Sequence, residues 1–439
     1  MHRKMTFLWF ILGLGANLQI VASLSITEAI ALIAAPLIFI KDYPQLKRDG
    51  LLPLFVLSLL VVAGCLVGSV ANHTPRAYVL RGLAVTCIMS CAVVFSHWLI
   101  RRDPGGFKWF VLALPISAIL CTFVFRQEVE VSSLGDSVEE IMSGPLFWIR
   151  RIRPLVMAPI LGWYIYIPKI ISASIPCLFA AFAMLITISG RSAAIGAVGF
   201  AAFVVIGGKS RISISRIPRY FWQLCVASMV FIFFIYTSYR VAATQGWLGE
   251  DARKKYEIQS QGGEGGIGRI ILSGRGESFI GLLACRDKPI IGWGPWPKDE
   301  RGYVQEFITK YGTYEDLQYL IGVQEWNRMN GRYERLLPCH SCITEFWAWY
   351  GIFGLIFWIY VMFVLLRYLK QDVAAVPQWF AWLACSLPSM FWAIFFSGMV
   401  DRFGMTMIVV ACLMARAVRK NRFQLPYEMI QEIEKLERR

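Results

Sequence analysis

The chain has 439 residues, of which 57% are hydrophobic and 17% are charged, and its mean hydropathy is +0.54. Soluble domains are about 45–50% apolar and about 25% charged, so the composition excludes a soluble enzyme, a fibrous protein and a disordered chain. A net charge of +15 would suggest a nucleic-acid partner in a soluble protein, but basic residues also accumulate in the cytoplasmic loops of membrane proteins. The composition therefore predicts an all-α polytopic membrane protein.

Uncharged apolar runs mark the predicted membrane spans. Residues 5–40 contain a single charge, Glu28, and as one helix they would be about 54 Å long against about 30 Å of hydrocarbon, so we expect two passes. Residues 155–189, interrupted only by Pro168-Lys169, also predict two passes. Single passes are predicted at 51–70, 79–100, 107–125, 192–208, 221–239, 346–366, 379–399 and 405–418. The sequence thus predicts about 12 transmembrane helices.

An even number of passes places both termini on the same side. With cytoplasmic termini, the segments on that side hold 22 Lys and Arg, and the short segments on the other side hold eight. The remaining 14 lie in one long loop, which the positive-inside rule does not count. The predicted organisation is transmembrane helices 1–9 in residues 1–239, an outer loop domain in 240–343, helices 10–12 in 344–418 and a cytoplasmic tail in 419–439.

The loop at 240–343 is the only predicted soluble piece of any size. Its 14 basic and 13 acidic residues nearly cancel, which argues against a nucleic-acid surface. Helices are predicted at 276–286 and 304–324. Gly263–Gly268 matches G-x-G-x-x-G, but no strand precedes it, so we interpret it as a flexible linker instead of a dinucleotide site. We expect the chemistry of the protein in this loop.

Cys339-His340-Ser341-Cys342 is a C-x-x-C sequence at the end of the loop. Haem attachment needs the histidine after the second cysteine, and a thioredoxin-type site needs a strand followed by a helix, whereas this segment leads directly into an apolar run. The chain has four histidines, spread along its length, so a zinc site is not predicted. In an oxidising compartment, Cys285 is a candidate for a disulfide with Cys339 or Cys342.

Ionisable residues at the predicted outer membrane edge form the candidate site. His340 is the only histidine of the loop; the alternative interpretation is an interfacial histidine that reaches water. Arg191 is the sole charge between two apolar runs, where an ionisable residue is a functional hypothesis by default. Arg269 and Arg275 follow glycines in the loop. Because arginine binds phosphate bidentately and stays charged, this set favours a diphosphate-bearing substrate, without a metal since no D-x-D-like pair accompanies it.

Short motifs in the loop occur in a definite order. Ser273-Gly274-Arg275 is followed by Ile280-Gly281-Leu282-Leu283 and then by Asp287-Lys288-Pro289-Ile290-Ile291-Gly292-Trp293-Gly294. His340-Ser341 through Glu345 leads to Tyr350-Gly351-Ile352-Phe353-Gly354-Leu355, and Gly190-Arg191-Ser192 precedes a predicted span. Over residues 170–366 these motifs resemble the O-antigen ligase family of bacterial envelope glycosyltransferases.

The resemblance implies a GT-C type glycosyltransferase that needs no metal, nucleotide or cofactor. It would move O-antigen polysaccharide from undecaprenyl diphosphate to lipid A–core oligosaccharide, with inversion, at the periplasmic face of the bacterial inner membrane. His340 would be the general base, and Arg191, Arg275 and Arg269 would bind the diphosphate. Weaker candidates are Arg81, Arg402 and Glu345; for Arg402 an ion pair with a nearby carboxylate is the favoured role.

Other functions share much of this pattern. O-antigen polymerases and protein O-oligosaccharyltransferases belong to the same superfamily, use the same donor chemistry and differ in the acceptor, which the sequence does not identify. A transporter of lipid-linked sugars would also span the membrane many times. Transporters keep their sites near the bilayer midplane and are built from paired halves, whereas here the distinctive polar residues gather in one outer loop. The sequence therefore favours an enzyme.

Overall fold

The computed structural model describes residues 2–106, 240–247, 276–311 and 336–431, with short gaps in the first and last ranges and a few isolated positions between them. The described residues are mostly helical. Among them, three helices are long and apolar enough to cross a membrane, at Leu52–Ala71, Arg76–Arg102 and Ile352–Asp372. They indicate a membrane-associated protein; the count of twelve spans stays a prediction.

The elements are numbered here in chain order over the described residues. They are α1 (His2–Gly15), β1 (Gln19–Val21), β2 (Leu24–Ser25), α2 (Ile26–Arg48), α3 (Leu52–Ala71), α4 (Arg76–Arg102), α5 (Gly276–Asp287), α6 (Tyr303–Tyr311), α7 (Cys342–Tyr350), α8 (Ile352–Arg367), a π-helical turn (Tyr368–Asp372), α9 (Pro377–Phe396) and α10 (Arg402–Arg419).

The apolar run at 5–40 divides into two helices, as predicted, at a short antiparallel β1–β2 hairpin. Ser25 then caps α2, because its hydroxyl accepts a hydrogen bond from the amide of Glu28 and the Glu28 carboxylate accepts one from the amide of Ser25. This reciprocal pair satisfies two amides that would otherwise lack partners at the helix start. The helix continues beyond the predicted end at residue 40 to Arg48.

Helix α4 lies at the centre of the described bundle, where it packs against α2, α3 and α10. Helix α3 carries Gly64 and Gly68 one turn apart, and these glycines allow other segments to approach its backbone. A Cβ on Gly64 would lie 2.7 Å from the carbonyl oxygen of Tyr350, and one on Gly68 would lie 3.1 Å from the amide of Gly294. Small residues at this spacing are typical of helix contacts in membranes.

The predicted span at 346–366 is wrong in its boundaries, because the helix breaks inside it. Helix α7 ends at Tyr350 and α8 begins at Ile352, with Gly351 between them at φ +64°. This conformation lies in a region that residues with a Cβ rarely adopt, so the glycine permits the break. The helix that is long and apolar enough to cross a membrane therefore begins at Ile352 and extends through the π-helical turn to Asp372.

The last turns of α2, α4, α8 and α10 carry basic residues and meet at one end of the bundle, which we call the basic end. There the side chain of Asp49 binds Arg101, the side chain of Asp372 binds Arg419, and Arg101 lies 5.5 Å from the ring centroid of Phe423. Grouping of cations at one end is the arrangement that the positive-inside rule predicts for a cytoplasmic face.

The opposite end of the bundle carries α5, α6 and α7, and we call it the loop end. There Asn72, just after α3, donates a hydrogen bond to the carbonyl oxygen of Gly292 at 3.0 Å. Arg402 at the start of α10 binds Glu28 at the start of α2. The Asn72–Gly292 hydrogen bond therefore fixes this part of the 240–343 segment directly to the end of α3.

Candidate functional site

The loop end is built on two helices that pack against each other, α5 and α7. Helix α5 matches the prediction at 276–286, and α6 begins one residue before its predicted start and is described to Tyr311. The rings of Phe279 and Phe307 stack at 6.5 Å and join α5 to α6. Ile280, Ala284 and Cys285 are buried on the face of α5 that meets the rest of the protein.

Two sequence motifs that are about sixty residues apart join through their backbones. The amide of Trp293 donates a hydrogen bond to the carbonyl oxygen of Ala348 at 2.7 Å, and the amide of Gly294 donates one to the carbonyl oxygen of Trp349 at 3.0 Å. Gly292 and Gly294 have φ of +76° and +79°, which glycine adopts at no steric cost. The Pro289–Gly294 turn and the α7–α8 break thus form one structural unit, which we call the glycine junction.

The start of α7 is firmly held on both sides of His340. Ser341 is buried; its hydroxyl accepts a hydrogen bond from the amide of Thr344 at 3.2 Å and donates one to the carbonyl oxygen of Ile394 in α9 at 3.0 Å. Cys339 lies against Gly281 of α5, where a Cβ would be 3.1 Å from the cysteine sulfur. His340 itself lies outside the described residues, but both of its neighbours are anchored to helices.

Glu345 is a half-buried carboxyl group in the first turn of α7. It forms no hydrogen bond or ion pair with any residue that the structure describes, and a Cβ on Gly398 would lie 3.4 Å from its Oε2. Loss of hydration raises the pKa of Glu345 to about 8. A carboxyl group with such a pKa is neutral at pH 7 and able to donate a hydrogen bond or a proton, as acids and bases in active sites do.

Two cationic side chains form a surface beside the ring of Trp293 at the loop end. The Nζ of Lys288 lies 3.9 Å from the ring centroid, and the Cζ of Arg301 lies 5.4 Å from it. Lys288 also donates a hydrogen bond to Asn72 at the end of α3. Partial burial, followed by the nearby charge of Arg301, lowers the pKa of Lys288. Cations beside an aromatic face suit a sugar that carries a phosphate.

Asp287 organises this surface. It accepts hydrogen bonds from the hydroxyl of Tyr303 at 2.7 Å, from Arg301 at 2.8 Å and from Arg286 at 3.2 Å. The Tyr303 hydrogen bond is the largest cause of the lowered pKa of Asp287, and the two arginines add to it. Lys288 and Arg301 were not predicted as site residues, because their proximity depends on how the loop folds back on α5.

The structure describes some of the predicted site residues. His340, Arg191, Arg269 and Arg275 lie outside the described residues, so their predicted roles stay predictions. Arg81 is exposed near the start of α4 and forms no hydrogen bond or ion pair with the described part of the chain. The ion pair favoured for Arg402 is present: its Nε lies 2.9 Å from Oε1 of Glu28.

Three cysteines lie where α5 meets α7. Cys285, Cys339 and Cys342 are free thiols in the structure. Burial raises the pKa of Cys285 to about 12 and also raises those of Cys339 and Cys342, so all three are protonated at neutral pH. A thiol in this state is a poor nucleophile and a poor metal ligand. Within the described ranges, no group of three or more His, Cys, Asp or Glu side chains is placed to hold a metal ion.

Comparisons with family models, with curated proteins and with solved structures find no match for this chain.

Proposed function

We propose that this protein is a multi-pass membrane glycosyltransferase of the O-antigen ligase type. It transfers polysaccharide from undecaprenyl diphosphate to a lipid A–core acceptor at the periplasmic face of the bacterial inner membrane. The glycine junction is the observation that carries this proposal. Its two halves belong to two of the motifs that carry the family resemblance, and they hydrogen-bond to each other at the loop end, at the C-terminal end of α7.

The reaction needs one base and a set of cations. The acceptor hydroxyl attacks the anomeric carbon of the donor, its proton passes to His340, and the bond from that carbon to the diphosphate oxygen breaks with inversion. An ordinary imidazole, with a pKa of about 6.5, is suited to accept the proton at neutral pH. Arg191, Arg269 and Arg275 stabilise the departing diphosphate, as fixed cations do for charge that develops in a transition state.

Glu345 has a second role in the proposed reaction, as a hydrogen-bond donor beside the general base. It follows His340 by five residues, and anchoring of Ser341 to α9 holds that segment in place. Because its pKa is about 8, Glu345 is protonated at neutral pH and acts as a hydrogen-bond donor to a sugar oxygen. The uncharged side chain also avoids repulsion of the anionic diphosphate.

The proposal is tested by deleting the gene and analysing the envelope polysaccharides. We expect lipid A–core without polymer, together with accumulated polymer on undecaprenyl diphosphate. A polymerase would instead leave lipid A–core carrying single repeat units, and a protein O-oligosaccharyltransferase would leave lipid A–core capped and a protein unglycosylated. Either of those outcomes would assign the chain to the other enzyme. A transporter would leave the donor on the cytoplasmic face, and purified protein would show no transfer.

A further inference from the structure

A group of basic side chains lies at the basic end, where α8 and α10 finish. We call it the α8–α10 cation cluster; it consists of Arg367, Arg416, Arg419, Lys420 and Arg422. The charge of Arg416 is the largest cause that lowers the pKa of Lys420, and the charges of Arg422, Arg367 and Arg419 add to it. These cations are therefore close enough to repel one another.

Asp372 provides the anionic partner within the described part of the chain. Its carboxylate pairs with the Nε of Arg419, and its Oδ2 lies 3.9 Å from the Nε of Arg367. No other described carboxylate forms an ion pair with the cluster. One buried carboxylate against five cations leaves a net positive charge, which an anion would neutralise.

Two of the arginines have unused hydrogen-bonding capacity. Arg416 is half-buried one turn before the end of α10 and forms no hydrogen bond or ion pair with described residues. The Nε of Arg367 is buried and has no hydrogen-bond partner there either. A guanidinium that has lost part of its hydration is unfavourable until an acceptor binds it. A phosphate fits because its oxygens match the guanidinium fork.

The surface beside the cluster indicates where that phosphate comes from. Exposed apolar residues follow one face of α8 and end beside Arg367; they are Ile356, Ile359, Phe363 and Leu366. In a helix that is long and apolar enough to cross a membrane, such a face contacts lipid acyl chains. The cation cluster therefore lies at the headgroup end of a lipid-facing surface, and not in a cleft for a soluble anion.

We propose that the α8–α10 cation cluster binds the headgroup phosphate of an anionic phospholipid, whose acyl chains lie along the exposed face of α8. Arg416 and Arg367 bind the phosphate oxygens, and Lys420 adds long-range attraction from its exposed position. The site lies at the end of the bundle opposite the glycine junction, and it does not depend on the proposed glycosyltransferase function.

The test is native mass spectrometry of the purified full-length protein, titrated with phosphatidylglycerol and separately with phosphatidylcholine. We expect selective retention of phosphatidylglycerol by the wild type and about fivefold weaker binding for each of Arg416→Gln and Arg367→Gln, which is the effect of one basic residue near an anionic lipid surface. Arg416→Lys should bind more weakly than the wild type but more tightly than Arg416→Gln, since it keeps the charge and loses the fork.

Arg102→Gln is the matched control, because Arg102 is an exposed arginine of the same end that lies outside the cluster, 5.9 Å from the ring of Trp98. It should bind phosphatidylglycerol as the wild type does. The proposal is overturned if Arg102→Gln weakens binding as much as Arg416→Gln, if the cluster variants bind normally, or if inorganic phosphate displaces the lipid. Should Arg416→Gln not elute as a single folded species, Lys420→Gln tests the same cluster from an exposed position.

Discussion

Gly351 and Ile290 are in direct backbone contact. A Cβ built on Gly351 would overlap the carbonyl oxygen of Ile290, and the same oxygen accepts a hydrogen bond from the amide of Ile352 at 3.0 Å. Gly351 also has φ +64°. One residue thus meets two separate requirements, a backbone conformation that favours glycine and a close approach that excludes a side chain.

Gly351→Ala should therefore disrupt the glycine junction. The backbone strain alone costs about 1–3 kcal/mol, and the overlap with Ile290 adds to it. Gly302→Ala is the control, since Gly302 has φ +74° but a Cβ there would lie 3.9 Å from its nearest neighbour. We expect a larger fall in the thermal unfolding midpoint for Gly351→Ala than for Gly302→Ala. Equal falls would mean that the close approach to Ile290 is not important.

The Glu28–Arg402 pair should behave as a coupled unit. Nε of Arg402 lies 2.9 Å from one carboxylate oxygen of Glu28 and its Nη2 lies 3.4 Å from the other, and both side chains are largely buried. Removing one member of a buried pair typically costs about 3–5 kcal/mol, because the other charge loses this ion pair. Glu28→Gln and Arg402→Gln should each lower the unfolding midpoint. The double variant should lose less stability than the sum of the losses in the two single variants.

The same double variant separates a structural role of Arg402 from substrate binding. If Arg402 only stabilises the fold, the folded double variant retains its transfer rate. A large loss of rate with normal stability would return Arg402 to the set of substrate-binding residues.

The pH dependence of transfer should have two limbs. At low pH the rate should fall, because a protonated His340 cannot accept the proton of the acceptor hydroxyl. As pH rises through about 8, Glu345 ionises and can no longer donate a hydrogen bond, so the rate falls. His340→Ala should lower the rate by about 10²–10⁴-fold. Glu345→Gln should retain the lower limb and lose the upper one, because the amide does not titrate.

The opposite result would exchange the two roles. If the rate of the wild type rises through pH 8 and Glu345→Gln is inactive, Glu345 is the base. His340 would then be an interfacial histidine without a chemical role.

Arg275→Ala should impair use of the donor. Loss of one hydrogen bond to a charged group costs about 1.5–3 kcal/mol, which corresponds to about 10–100-fold in rate. Arg275→Lys should recover part of this loss, since an ammonium lacks the planar fork. Arg240→Ala is the control, because Arg240 is an exposed arginine of the same loop. Measured transfer by purified Arg275→Ala at the wild-type rate would exclude that arginine from the site.

The direction of the bundle is tested by reporter fusions. A reporter that is active only in the periplasm should be active after Gln261, in the outer loop, and silent after Arg422, which follows α10 at the basic end. The reverse pattern would place the basic end outside and would contradict the predicted topology and the periplasmic site assigned from it.

Local features of the sequence predicted several of the described helices well. The runs at 51–70 and 79–100 correspond to α3 and α4, and the helix at 276–286 corresponds to α5. Such elements depend on hydrophobicity and periodicity over neighbouring residues, and both are properties of the sequence itself. The grouping of basic residues at one end follows from the same apolar runs, because alternating passes bring every second helix end to the same side.

Only the tertiary structure decided which distant residues meet. Glu28 and Arg402 are separated by 374 positions, and their pairing depends on the packing of α2, α4 and α10. The break at Gly351 is invisible in a continuous apolar run, because its cause is the carbonyl group of Ile290 that approaches from the loop. The raised pKa of Glu345 likewise arises from burial by neighbouring elements, since a glutamate exposed to solvent stays hydrated and keeps its ordinary pKa.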